Sequence, residues 1–205
     1  MFITLEGGEG SGKTTVANSL RKIFEEKGYV VVYTREPGGN KIAEAIREVI
    51  LSTEHTNMDA RTEALLYAAA RRQHLVEVIE PALAANKIVI CDRFIDSSIA
   101  YQGYARGIGA DLIASMNYFA IDSRLPDLTL LIDVRPKVGL ARINQDKNRE
   151  INRLDLEKMS FHDAVYEGYH SIAKSNPDRI QVVNGEQDVE DVINDLTKII
   201  EARLG

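Results

Sequence analysis

Apolar positions along the chain alternate between two rhythms. Short, nearly continuous runs at Phe2 to Leu5, Tyr29 to Tyr33, Lys87 to Cys91, Leu128 to Val134 and Ile180 to Val183 have the length and branching of buried strands. Between them, apolar residues recur every three or four positions. Val16, Leu20, Ile23 and Phe24 share one helical face, as do Ile42, Ile46, Val49 and Ile50, and in the tail Val192, Ile193, Leu196, Ile199 and Ile200. Strands alternating with helices predict an α/β fold built on a mainly parallel sheet. Gly28 stands where the first helix needs a C-terminal cap. Helical spacing from about Ala60 to Ala85 is expected to break near Glu80, because Pro81 lacks the N–H that the helical ladder uses.

No repeat or linker divides the 205 residues, so one domain over 1–205 is expected. The least core-like stretch, Asn144 to Arg153, reads as a mobile excursion. The 25 basic residues stand against 31 acidic ones, a net charge of −6. That balance gives no reason to expect a nucleic-acid partner, so a polyanionic ligand must be met by local basic clusters. The lone Cys91 lies in an apolar run and reads as packing. With no basic leader and no apolar stretch near 20 residues, a cytoplasmic protein without a membrane segment is expected.

Gly7-Gly8-Glu9-Gly10-Ser11-Gly12-Lys13-Thr14 matches the phosphate-loop pattern G-x-x-x-x-G-K-[ST], between a strand and a helix as that pattern requires. Glycines there let backbone N–H groups turn inward onto phosphate oxygens, aided by the positive end of the following helix. Lys13 is expected on the β and γ phosphates and the Thr14 hydroxyl on Mg²⁺, which makes this a P-loop NTPase fold. Two strand-ending aspartates could complete the metal site. Asp92 is preferred to Asp133 because Arg93 follows it directly.

A phosphate loop alone does not separate kinases from nucleotide switches or partition ATPases. Three further segments accompany it: Thr34-Arg35-Glu36-Pro37-Gly38-Gly39, Asp92-Arg93-Phe94, and the arginine-bearing stretch from Arg142 to Arg153. Together with Asp96-Ser97-Ser98-Ile99-Ala100-Tyr101-Gln102-Gly103-Tyr104, they make essentially the whole chain resemble thymidylate kinases. The resemblance implies phosphorylation of dTMP to dTDP by ATP and Mg²⁺, in a homodimer. Other acceptors, such as dUMP, dGMP or a non-nucleotide alcohol, share the phosphate loop and are the rival substrates.

The site residues follow from that likeness and from elementary chemistry. Negative charge spread over a moving phosphoryl group calls for cations converging from donor and acceptor sides. By resemblance, Gly7 to Thr14, with Thr15, hold ATP, and Arg142 covers adenine opposite Asn184 to Gln187. Arg93 holds the dTMP phosphate, Arg35 and Arg47 help to position it, and Glu36 and Pro37 also belong to the dTMP site. Tyr67 and Arg71 share a helical face, and the likeness puts Tyr67 on thymine and Arg71 on its O4, with tyrosine replacing the usual phenylalanine. Ser97, Ser98 and Gln102 are placed near the base and Tyr101 against the deoxyribose. The phosphate loop carries Glu9 rather than arginine, which resembles the bacterial form, so the transition-state cation is expected from a lid over 142–153, as Arg149 or Arg153. An acceptor phosphate has a second pKa near 6. It needs no strong base, and His55, His74, His162 and His170 are read as surface or structural.

Overall fold

The computed structural model describes residues 1–145 and 152–205. Five strands form one sheet: β1 (Phe2–Glu6), β2 (Val31–Arg35), β3 (Ile88–Asp92), β4 (Leu128–Asp133) and β5 (Ile180–Asn184), in the order β2-β3-β1-β4-β5 with every neighbour parallel. Each run predicted from apolar continuity is a strand, displaced by at most two residues. Alternation within the strands divides the packing. Ile3 and Leu5 face α1 (Lys13–Glu26) and α9 (Val189–Leu204), meeting Val16, Leu20, Phe24, Leu196 and Ile200. Phe2, Val89 and Cys91 point the other way, into Leu75, Ile79, Phe94 and Ile121. Each such side chain, taken fully out of water, contributes about 1.5–3 kcal/mol before conformational entropy is charged against it.

Gly28, at φ +90°, closes α1 as its spacing predicted: its N–H bonds the Glu25 carbonyl and the Tyr29 N–H reaches back to Phe24. The apolar face of α2 (Lys41–Leu51) is less fully used, since Ile50 is buried but Ile42 and Val49 are exposed. The break expected near Glu80 is replaced by a widened turn. α3 (Ala60–His74) runs into a π-helical turn (Leu75–Ile79) and on into α4 (Glu80–Ala84), with Pro81 inside it. The Glu80 N–H reaches five residues back to Leu75, and Pro81 sits in the first turn of α4, where an absent donor costs least.

A second π-helical stretch (Ile99–Ala105) follows the short α5 (Ile95–Ser98) and leads to α6 (Ala110–Ile121). α7 (Pro136–Gln145) precedes the segment 146–151, and a 3₁₀ turn (Arg153–Leu156), capped by Asn152, resumes before α8 (Met159–Ser175). The excursion expected over Asn144 to Arg153 thus starts in a helix and ends in packed structure, for Arg153 is buried. Register brings the carboxyl ends of β1, β2 and β3 side by side, with Leu5 and Arg35 both opposite Asp92. In open parallel sheets that edge is where ligands bind.

Candidate active site

A cavity of about 770 Å³ opens at this edge, walled by the phosphate loop, Tyr33, Arg35, Glu36, Arg47, Asp92, Arg93 and Arg142. Gly7 to Gly12 carry the chain from β1 to α1. Lys13, the first residue of α1, is buried and folds back to donate to the Gly7 and Gly8 carbonyls at 3.1 and 3.0 Å and to Ser11 Oγ at 3.0 Å. Burial, with Arg93 close by, lowers the Lys13 ammonium to about 8. Arg47 is likewise held below its ordinary value by burial and by Arg35. Cations crowded to their own disadvantage form a site that a phosphate relieves. Arg35 is meanwhile held by Glu44 at 2.6 Å, and Arg47 donates to the Pro37 carbonyl at 2.9 Å.

Of the two candidate aspartates, Asp92 is the one beside the loop, where the Thr14 hydroxyl donates to its Oδ2 at 3.2 Å. Asp133 lies on the β5 side, 3.1 Å from His170 Nε2. Thr14 and Asp92 together offer hard oxygen donors at the cavity wall, the ligand type Mg²⁺ takes.

Arg93, at φ +71°, leaves β3 in a left-handed turn that directs its guanidinium under the loop. It donates to the Gly7 carbonyl (3.1 Å), Ser97 Oγ (3.3 Å), Tyr169 OH (3.2 Å) and Glu9 Oε1 (2.9 Å), and lies over the Tyr101 ring at 5.0 Å. Burial works against its charge, but Tyr101 and Glu9 outweigh it and keep it protonated. Arg93 also lines a smaller pocket with Tyr67, Ser97, Ser98, Tyr101, Gln102 and Leu154. One guanidinium therefore stands between a phosphate cavity and a pocket of aromatic and amide groups.

Several predicted residues are placed differently from their sequence reading. Arg71 is 1% exposed, and Tyr67 beside it is only partly buried. The Arg71 guanidinium donates to Glu36 Oε2 (2.7 Å), Ser98 Oγ (2.9 Å), the Phe94 carbonyl (3.0 Å) and Asn117 Oδ1, which engages four of its five N–H groups. Glu36 accepts a second bond from His74 Nδ1 at 2.9 Å, and His74 Nε2 meets the Thr34 hydroxyl at 2.6 Å. Glu36, His74 and Cys91 bring possible ligand atoms within 4.8 Å of one another. Each already has a hydrogen bond, and burial keeps the thiol protonated, so the trio reads as a tie between β2 and α3 rather than a cation site. Arg142 donates to the Gly185 carbonyl at 3.1 Å, beside the predicted wall at Asn184 to Gln187. Arg149 lies outside the described residues. Arg153 donates to the Ile50 carbonyl at 3.0 Å and pairs with Glu63, so it does not join the cavity.

Sequence reading missed Glu6, Tyr169 and Gly139. Glu6, pushed up to about 7 by burial and by Asp96, accepts from the Phe94 N–H (2.8 Å), Ser97 Oγ (2.5 Å) and Tyr169 OH (3.0 Å), which fixes the floor under Arg93. Gly139 presses on the phosphate loop: a Cβ there would stand 2.0 Å from the Glu9 carbonyl oxygen, and one on Gly10 would stand 2.1 Å from the Gly139 carbonyl oxygen. A lone glycine inside the helical run Val138-Gly139-Leu140 was the available cue.

The family model of thymidylate kinase matches residues 5–196. The chain belongs to the thymidylate kinase family. It is 55% identical over 204 residues to the thymidylate kinase of Bacillus cytotoxicus, covering 100% of this chain and 98% of that one. It is 56% identical over 203 residues to the thymidylate kinase of Halalkalibacterium halodurans, covering 99% and 97%. The crystal structure of thymidylate kinase from Ehrlichia chaffeensis superposes with a TM-score of 0.80 at 39% identity, over 98% of both chains. The likeness thus spans essentially the whole of this thymidylate kinase family member.

Proposed function

We propose that this chain transfers the γ-phosphoryl group of ATP to the phosphate of dTMP, releasing ADP and dTDP. The observation that carries the reading is the position of Arg93, shared by the phosphate cavity and the smaller pocket. ATP occupies the loop from Gly7 to Thr15, with Arg142 over its base. The dTMP base enters among Tyr67, Ser97, Ser98 and Gln102, its deoxyribose rests on Tyr101, and its phosphate comes between Arg35, Arg47 and Arg93. Thr14 and Asp92 hold Mg²⁺, which when bound neutralises charge on the phosphates.

Lys13 and Arg93, which both donate to the Gly7 carbonyl, bring fixed positive charge to the place where the phosphoryl group moves, so negative charge that grows on it is met there. No side chain removes a proton, because the acceptor oxygen is already ionised near neutral pH. The segment 142–153 acts as the lid, and Arg149 supplies its cation, since Arg153 is committed to Glu63. The unit of function is one domain over 1–205 that works in the cytoplasm as a homodimer. Support for pairing is an apolar face on α3 and α6, where Leu65 is 59% exposed and Phe119 is 91% exposed.

A screen of nucleoside monophosphates as acceptors tests this reading. ADP should form rapidly from ATP and Mg²⁺ with dTMP present and only at background rate without an acceptor. Equal, slow turnover whether or not dTMP is added would overturn it.

A further inference from the structure

Glu63 lies on α3, fully buried, one turn before Tyr67. Its carboxylate accepts from three residues at once: Gln102 Nε2 at 2.9 Å, Arg106 Nε and NH2 at 3.2 and 3.1 Å, and Arg153 NH2. Burial alone would raise its pKa, but hydrogen bonds from Arg106, Gln102 and Arg153 outweigh burial and hold the carboxyl below its ordinary value. Arg106 is itself fixed, paired with Glu157 at 2.6 Å and lying over the Phe161 ring.

An ionised carboxylate can only accept hydrogen bonds. The Gln102 amide must therefore turn its NH2 toward Glu63. Its Oε1 is the other arm of the same planar amide, and Gln102 lines the smaller pocket with Tyr67 and Ser98, so the arm not held by Glu63 is the one left for that pocket. Among the described residues, that oxygen accepts no hydrogen bond. Beside it, Ser98 Oγ accepts from Arg71, which leaves the serine hydrogen to donate. The pocket thus presents one acceptor and one donor side by side. A pyrimidine-dione offers the complementary edge, an N3–H donor next to a C4 carbonyl. Cytosine offers the reverse, an N3 acceptor next to an amino group, and would leave buried partners facing like against like.

We propose that Glu63 is a positioning residue that locks the Gln102 amide as an acceptor and so selects acceptor nucleotides whose base carries N3–H. The proposal rests on the dTMP reading above and adds to it the group that sets the polarity of base recognition.

The test compares dTMP with dCMP as acceptors for the native chain and for Glu63→Gln. A neutral amide at position 63 can pair with either end of Gln102, so the lock is released. The ratio of kcat/KM for dTMP over dCMP should fall by about tenfold or more, while the KM for ATP stays within about twofold. A ratio within about twofold of the native one overturns the proposal. A native protein inactive on dTMP overturns the functional reading and the proposal with it, so the two failures are distinguishable.

Because Glu63→Gln removes the charge that faces buried Arg153 and half-buried Arg106, its folding is checked by thermal melting. A second measurement uses the native chain. In ¹⁵N-labelled protein, the Gln102 side-chain amide protons should stay bonded to Glu63 when dTMP is added. Transfer of those protons to the ligand, seen as contacts between the amide and the thymine ring, overturns the proposal independently of any variant.

Discussion

At the scale of single residues, Lys13 ties structure to a measurable pH response. Its ammonium titrates near 8 in the free protein because burial and Arg93 disfavour the charge. The cation is the form that binds phosphate, so kcat/KM for ATP should be flat below about pH 7 and fall about tenfold per unit above about 8. With nucleotide bound, phosphate charge restores the ammonium, and the fall in kcat should begin at higher pH. A common onset in both profiles would exclude Lys13 as the titrating group. Arg149 and Arg153, the two arginines proposed from the sequence as the catalytic cation, should likewise separate. Arg149→Ala is expected to lower kcat about a hundredfold or more at unchanged melting temperature. Arg153→Ala should instead destabilise by roughly 2 kcal/mol, the scale of losing buried bonds to a charged group. The placement of Lys13 and Thr14 was legible in sequence because a strand-loop-helix pattern fixes their neighbours, and Asp92 could be preferred to Asp133 only through its neighbour Arg93. Arg71 was half legible: helical spacing with Tyr67 was readable, but its burial depends on Glu36, Ser98 and Asn117, which come from three other segments.

At the scale of elements, α3 carries Glu63, Tyr67, Arg71 and His74. Its start is set by Asp59, whose side chain accepts from the Arg61 and Thr62 N–H groups at 3.0 and 3.1 Å. Asp59→Ala should cost about 1 kcal/mol, seen as a melting temperature lower by about 2–4 °C, with the KM for dTMP rising more than that for ATP. A uniform change in both constants would argue against a local role for the cap. Strands and most helices were readable because burial on both sheet faces imposes apolar continuity, and one-sided packing imposes helical spacing. The π-helical turns were not. Apolar spacing does not record whether a turn takes four or five residues back to its partner, and Pro81 signalled a defect without saying how it would be absorbed.

At the scale of the whole molecule, the exposed apolar face is the feature that a lone copy leaves in water. A pocket of about 730 Å³ lies on it between α3 and α6, lined in part by Leu65, Ala69, Met116 and Phe119. Phe119→Glu should shift the sedimentation of the protein toward the monomer and lower its melting temperature. Unaltered sedimentation would place any dimer contact elsewhere. The parallel sheet and the helices on its faces followed from periodicity, whereas the strand order and the use of this face did not, because a pattern of apolar residues does not name what they pack against.

The contact between Gly139 and the phosphate loop has a mechanical meaning. Two peptide backbones touch with no side chain between them, so α7 has almost no slack against the phosphate loop at Glu9 and Gly10. A tilt of that helix must travel with the loop.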